Sequence, residues 1–375
     1  MAVGLYIHVP FCLSRCHFCA FSLRIHRPDW VDAYLGALTR EIDLHADAGT
    51  LADRRIETVY FGGGTPTTLA AEQLCAILSQ LRRRFAVDAE AEISVEAHPD
   101  TVDEDKLRRL VEAGFTRLSL GMQASNDEDL TTLGRPGAPS AVRRAVACAR
   151  TAGFANLNLD VIYGQAGQTL DRWDDTLADL LSLSPTHASC YALTVEPHSH
   201  LAVEVRRGDA GEPDAGLQVA MEHLAAQRLA DAGFARYELS NYARPGFACR
   251  HNLLYWQSGE YVGLGPSAQS YLDGRRFGNI ENLDGYRRAL DDGAWPWAHE
   301  ERLDAGQRLR EAIVFGLRTA QGVDREAVRQ ATHDAEWHRA YRRLADEGLV
   351  QERDGRVRLT ESGRRFADDV AVALI

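Results

Sequence analysis

Three cysteines within eight residues, Cys12-Leu13-Ser14-Arg15-Cys16-His17-Phe18-Cys19, follow a short apolar run, 5–9, that stops at Pro10. A loop of this kind can wrap its thiolates around one inorganic centre. A cubane iron–sulfur cluster takes one thiolate per iron, so three cysteines leave one iron open to another ligand. An open coordination position marks a metal that does chemistry rather than one that staples a fold. Two other readings fit the spacing: a tetrahedral zinc completed by His17 or His8, and three unligated, packed thiols. Downstream, Tyr60-Phe61-Gly62-Gly63-Gly64-Thr65-Pro66 places three glycines after a strand-like run. Bare backbone N–H groups at Gly63 and Gly64 suit a carboxylate, a phosphate or an amino-acid moiety. Glu96 stands in an otherwise apolar run, where a buried carboxylate must be paired.

The elements that must position these groups follow a simple alternation. Apolar strand-like runs at 5–9, 58–61, 92–97, 117–122, 156–163 and 187–194 are separated by helical patterns at 30–46, 71–84, 102–113 and 140–152. Six such units predict repeated β/α structure around a parallel sheet, with Gly114 and Gly153 closing two of the helices. Parallel barrels carry their chemistry at the C-terminal ends of the strands. The cysteines, the glycines, Glu96, Gln123 and Asp160 all fall at or near such ends. On the first run, Tyr6 and His8 share one face by the period of two.

Beyond the sixth run the pattern changes. A helix is expected at 213–232 and strands at 236–242 and 261–271, then helices at 307–319, 325–332 and 335–347. A ribbon, 349–353 and 356–360, turns at Asp354-Gly355. The expected division is a partial barrel over 1–235, additional strands and connections covering the barrel mouth over 236–304, and a winged-helix-like α+β unit over 305–375. DNA contact by that last unit is not expected, because 306–375 holds thirteen arginines against twelve acids without clustering.

With 375 residues, 45 % of them hydrophobic, the chain can bury a large core. A formal net charge of −12 argues against broad nucleic-acid binding. No apolar run reaches 18 residues, so no spanning segment is expected, and Met1 leads into the first strand without signal-peptide character. Seven cysteines, odd in number and partly clustered, suit metal binding in a reducing compartment, hence the cytoplasm.

The chain resembles the radical S-adenosylmethionine (SAM) proteins. Among them it is similar to the oxygen-independent coproporphyrinogen III oxidase-like family, with its heme-chaperone and radical-methylase branches. The residues that carry the resemblance are Tyr6-Ile7-His8-Val9-Pro10-Phe11-Cys12, Gly62-Gly63-Gly64-Thr65-Pro66, Val95-Glu96-Ala97-His98-Pro99, Leu120-Gly121-Met122-Gln123 and Cys249-Arg250-His251-Asn252-Leu253-Leu254-Tyr255-Trp256. It implies a partial (β/α)6 barrel holding a [4Fe-4S] cluster on Cys12, Cys16 and Cys19. It further implies that SAM, on the open iron, is cleaved reductively to a 5′-deoxyadenosyl radical, with an electron donor such as flavodoxin or ferredoxin. Tyr6, His8, Phe18, Gly63, Gly64, Thr65 and Glu96 match residues around the cluster and this SAM, Tyr6 and His8 being candidates for the chemistry itself. Gln123, Arg135 and Asp160 match positions where the oxidase holds a second SAM, and Ala192 and Gln269 are further cofactor-side candidates. His251, in the His-Asn-x-x-Tyr-Trp motif, is a candidate heme ligand; a hydrogen-bonded core histidine is the other reading of it.

Four departures bear on function. The oxidase has a further cysteine where this chain has Phe21, and it begins with an extension that this sequence does not show. Heme chaperones read Cys-Asp-Phe where this chain has Cys19-Ala20-Phe21. They also carry a histidine at the place of Gln269, and glutamine cannot act as a base. The departures at Ala20 and Gln269 lean away from the chaperone without displacing it, so the expectation stays a heme chaperone-like radical SAM protein acting on a small molecule or a tetrapyrrole. A methyltransferase or cyclopropane-forming enzyme using a second SAM is the alternative, and oxidase activity is disfavoured.

Overall fold

The six predicted runs all form strands in the computed structural model, which describes residues 2–135, 139–331 and 334–374. They are β1 (Ala2–Val9), β2 (Arg55–Gly63), β3 (Val87–Ala97), β4 (Arg117–Gln123), β5 (Asn156–Tyr163) and β6 (His187–Ala192). Each pairs in parallel with the next. Between them run α1 (Pro28–Asp47), α2 (Ala71–Arg84), α3 (Glu104–Ala113), α4 (Pro139–Ala152) and α5 (Leu170–Ser182). Gly114 ends α3 at φ 95°, the left-handed cap that glycine adopts freely.

The alternation of β1 sets the layers. Leu5, Ile7 and Val9 are fully buried against the helices, and Tyr6 and His8 point the other way, into the barrel. Burial on both faces is what parallel strands require. The core is one continuous apolar cluster running from Val3 to Leu290.

The sheet is longer than the six units. After α6 (Ala215–Asp231) come the short β7 (Ala235–Arg236) and β8 (Asn241–Ala243), then α7 (Arg250–Trp256). They are followed by β9 (Glu260–Leu264), β10 (Gln269–Leu272), β11 (Arg275–Asn279) and β12 (Trp297–Arg302). The twelve strands lie in the order β12-β11-β10-β9-β1-β2-β3-β4-β5-β6-β8-β7. A seventh parallel strand, β9, pairs on the other edge of β1, and antiparallel strands extend both ends. The single strands expected at 236–242 and 261–271 are therefore two hairpins. In the second, Gly265 at φ 102° and Ser267 at φ 67° turn the chain inside an apolar run, and Pro266 has no N–H for a ladder.

The helix α7 closes the barrel at the N-terminal ends of β1 and β2. A Cβ on Gly4 would stand 2.6 Å from Leu254 Cδ2, and Glu92 Oε2 and Oε1 accept from the N–H groups of Arg250 and His251 at 3.2 Å each.

The C-terminal stretch has its own apolar cluster, with Ile313, Val328, Trp337, Leu344 and Val357 at its centre. The three expected helices form as α8 (Ala305–Gly316), α9 (Arg325–Ala331) and α10 (Asp334–Asp346), and two more follow at Glu361–Arg364 and Ala367–Leu374; Thr332, the expected end of the second, lies outside the described residues. The expected two-stranded ribbon, Val350–Arg353 with Arg356–Leu359, turns at Asp354 and Gly355, both with positive φ, and gains a third strand at Val323–Asp324. No helix among the described residues is long and apolar enough to cross a membrane.

Candidate functional site

The C-terminal ends of the strands open into a cavity of about 790 Å³. Cys12, Cys16 and Cys19 all line it and none is in a disulfide. The loop that carries them is closed by its own backbone. Phe11–Cys12 pairs in parallel with Arg24–Ile25, Arg24 N donates to Pro10 O at 2.6 Å, and His26 N donates to Cys12 O at 2.8 Å. Cys12 Sγ is 3.3 Å from Thr65 Oγ1, which ties the loop to the glycine turn. Burial pushes the Cys12 thiol up to about 11, and Cys19 is raised for the same reason. Such thiols stay protonated at neutral pH unless a metal takes the proton's place. Three soft donors turned to one space, with room beyond them, fit a cluster with an open iron.

Neither histidine of the zinc reading lines this cavity. His8 is buried behind Tyr6, with Nδ1 3.2 Å from Tyr6 Oη and Nε2 3.3 Å from Ser22 O. His17 Nδ1 is 3.4 Å from Glu204 Oε2, outside the cavity lining.

The glycines have two jobs. Gly63 and Gly64 line the cavity, and they also let β2 nest against the cysteine loop. A Cβ on Gly63, at φ 114°, would stand 2.7 Å from His8 Cε1, and one on Gly64 would stand 2.6 Å from Phe11 O. Glu96 receives a hydrogen bond from Tyr60 Oη at 2.8 Å, yet burial pushes its carboxyl up to about 7. The rings of Tyr6, Tyr60 and His251 form a compact triangular cluster, with Tyr6–Tyr60, Tyr60–His251 and Tyr6–His251 centroids 6.2, 5.2 and 6.4 Å apart.

Gln123, Arg135, Asp160 and Ala192 come together on the same cavity. Gln123 is held at φ 65° beside a register shift, a conformation that costs a non-glycine residue energy and often marks a site. Arg135 Nη2 donates to Gly121 O at 2.9 Å, and a Cβ on Gly121 would meet both Arg135 Nη2 and Gln123 Nε2 within 2.8 Å. Phe18 lines the cavity while packing with Leu133, Ile162, Leu193 and Leu201. Gln269 is not brought in: it is exposed on β10, and its Nε2 donates to Ser267 O. His251 lines the inner end with both ring nitrogens engaged, Nδ1 2.7 Å from Thr58 Oγ1 and Nε2 2.8 Å from Tyr255 Oη. Burial lowers it to about 3, so it is neutral.

A polar layer that the sequence reading passed over lies below Asp160. Ser119 donates to Asp160 at 3.1 Å, and Asn158 Nδ2 donates to both Ser119 and Asp160. His187 Nδ1 is 2.6 Å from Asn158 Oδ1, and its Nε2 is 2.8 Å from Tyr237 Oη. The available signal was polar residues at alternate positions in three successive apolar strands: Arg117 and Ser119, Asn158 and Asp160, His187 and Ser189.

The description "Radical SAM superfamily" matches residues 6–180, and "HemN C-terminal domain" matches residues 303–366. The heme chaperone HemW of Mycobacterium tuberculosis is 37 % identical over 380 residues, covering 99 % of this chain and 94 % of that protein. The chain belongs to the HemN-like family of radical SAM proteins. HemW of Bacillus subtilis is 32 % identical, with 99 % of this chain and 98 % of that protein covered. Among solved structures, coproporphyrinogen III oxidase (HemN) from Escherichia coli superposes with a TM-score of 0.87 at 25 % identity, covering 99 % and 89 % of the two chains. Membership of the radical SAM family implies a [4Fe-4S] cluster and SAM, and the three thiols that the loop turns to the cavity fit that cluster.

Proposed function

We propose that the chain binds SAM at a cluster held by Cys12, Cys16 and Cys19 and takes part in heme handling, as the name of its HemW relatives suggests. The observation that carries it is the meeting of three free thiols with Tyr6, Gly63, Gly64 and Glu96 on one cavity. When bound, the cluster and SAM would supply one-electron cleavage to a 5′-deoxyadenosyl radical, with the electron coming from a flavodoxin or ferredoxin. The chain's own part is to bind, orient and exclude water. Glu96 offers an acceptor for an amino or hydroxyl group, the glycine turn offers close backbone approach, and Phe18 offers a ring face for adenine.

For heme, the apolar mouth is a better-placed surface than His251. Leu13, Phe21 and Tyr191 line the opening at 54, 66 and 42 % exposure, and flat apolar rings favour such a surface. Iron ligation by His251 would have to break a buried hydrogen bond. A second reading, methyl transfer with a second SAM, draws on the cavity-lining Gln123, Arg135 and Asp160, among them Gln123 with its strained backbone.

Binding to the anaerobically reconstituted protein separates the two. One SAM equivalent, with tight heme binding weakened in Phe21→Ser, supports heme handling. Two SAM equivalents, one lost in Arg135→Ala at a cost of about 1.5–3 kcal/mol for a charged hydrogen bond, with no heme bound, would replace it with methyl transfer.

A further inference from the structure

His17 lies between two of the cluster cysteines but turns away from the cavity they line. Its Nδ1 is 3.4 Å from Glu204 Oε2, and His200 Nε2 is 3.3 Å from Glu204 Oε1. One donor atom from each of the three residues lies within 4.8 Å of the others, and the two imidazole rings meet edge to face at 4.8 Å. A tetrahedron with metal–nitrogen and metal–oxygen bonds of about 2.0–2.1 Å has edges of about 3.3–3.4 Å. Each histidine–carboxylate separation is close to that edge, though to different oxygens of Glu204, so an ion on one oxygen asks only for a small turn of the carboxylate.

The three groups come from two segments that the fold holds together independently of any ion. His200 and Glu204 are four apart on the helix His200–Arg207, so they share one face. Leu201 N donates to His17 O at 2.8 Å, and His17 N donates to Leu133 O at 3.0 Å. Phe18 packs with Leu201 and Val205 of that helix. On the other side Gly134 crowds the ring: a Cβ there would stand 2.1 Å from His17 Cδ2. The imidazole is thus set in place by backbone bonds and packing, with its Nδ1 aimed at Glu204.

We propose that His17, His200 and Glu204 form a second metal site, for a borderline divalent cation such as zinc, on the outer side of the cluster loop. Two imidazoles and a carboxylate are an ordinary zinc donor set that leaves one position for water. Half-exposed His200 gives the ion an entry path. A cation there ties the segment between Cys16 and Cys19 to the neighbouring helix, making the cluster loop more rigid than its backbone bonds alone do. This goes beyond the proposed function and does not depend on it.

The test is metal analysis of the anaerobically reconstituted full-length protein after dialysis against zinc, alongside Glu204→Gln and His200→Ala. Both variants alter a helix that carries no cluster cysteine, and the iron count reports whether the rest of the molecule is intact. The expected result is one zinc per wild-type chain in addition to the cluster iron, and loss of that zinc from both variants with iron unchanged. No zinc in the wild type, equal zinc in all three proteins, or zinc gained only as iron is lost would overturn the proposal. Equal zinc in all three would place the ion away from His200 and Glu204, and zinc gained as iron is lost would place it on the cysteines, both distinct from any failure of the SAM reading.

Discussion

Of the seven cysteines, buried Cys190 shows that burial alone does not make a ligand, while Cys75 and Cys148 are only partly buried. Cys75 Sγ donates to Arg109 O at 3.7 Å, and Cys190 is 4 % exposed on β6, pushed up to about 12 by burial. Neither lines the cavity with Cys12, Cys16 and Cys19, and nor does Cys148. Replacing any one of the three loop cysteines by serine should abolish the cluster, measured as iron and sulfide per chain, while serine at 75, 148 or 190 should leave both unchanged. Glu96 gives a second residue-scale prediction. Its carboxyl is raised from 4.5 to about 7, so it becomes an ionised acceptor only as the pH passes about 7. SAM affinity should therefore rise across that window, and Glu96→Gln should flatten the profile. An unchanged profile in the variant would remove Glu96 from the SAM site.

At the scale of elements, a single carboxylate fastens the helix layer to the extended sheet. Glu41, fully buried on α1, accepts from Gly265 N at 2.7 Å, from Tyr286 Oη at 2.6 Å and from Asn279 Nδ2 at 2.6 Å. These donors come from the turn after β9, from the helix Leu283–Asp291 and from β11. Glu41→Leu strands Gly265 N and Tyr286 Oη, while Asn279 Nδ2 keeps its bond to Gly265 O at 2.9 Å; at about 1–3 kcal/mol for each donor left without a partner, it should lower the thermal midpoint sharply. Burial raises the same carboxyl to about 7, so the folded chain keeps a proton that the unfolded chain loses above 4.5. Its contribution is therefore most favourable below 4.5, falls as the pH climbs to about 7, and then levels. Thermal midpoints across that range should lose this slope in Glu41→Gln.

Across the whole molecule, α7 connects the barrel to the C-terminal unit. His251 faces the cavity from one side of it, and Trp256 at its end packs against Phe315 with centroids 6.3 Å apart, under the Arg318 guanidinium. Trp256 is only half-buried, so Trp256→Ala should cost about 1–3 kcal/mol, less than a core tryptophan. It should lower the melting temperature while leaving iron content and SAM cleavage intact; loss of the cluster would show that the two ends are more tightly coupled than this contact implies. The sequence by itself determined the cysteine loop, the six parallel strands and their helices, because thiol spacing and apolar periodicity are local properties that burial on both faces of a strand imposes residue by residue. It also placed Glu96 and Gln123 at strand ends and Asp160 within the fifth strand, since parallel topology makes one side of the sheet converge. Only the tertiary structure decided that β9 continues the parallel sheet on the far edge of β1 and that Gln269 stays outside the cavity. It likewise decided that His251 is held between Thr58 and Tyr255, and that His17 faces Glu204 instead of the thiols. Each of these depends on partners distant in sequence, and contacts of that kind leave no periodic trace because packing alone brings the residues together.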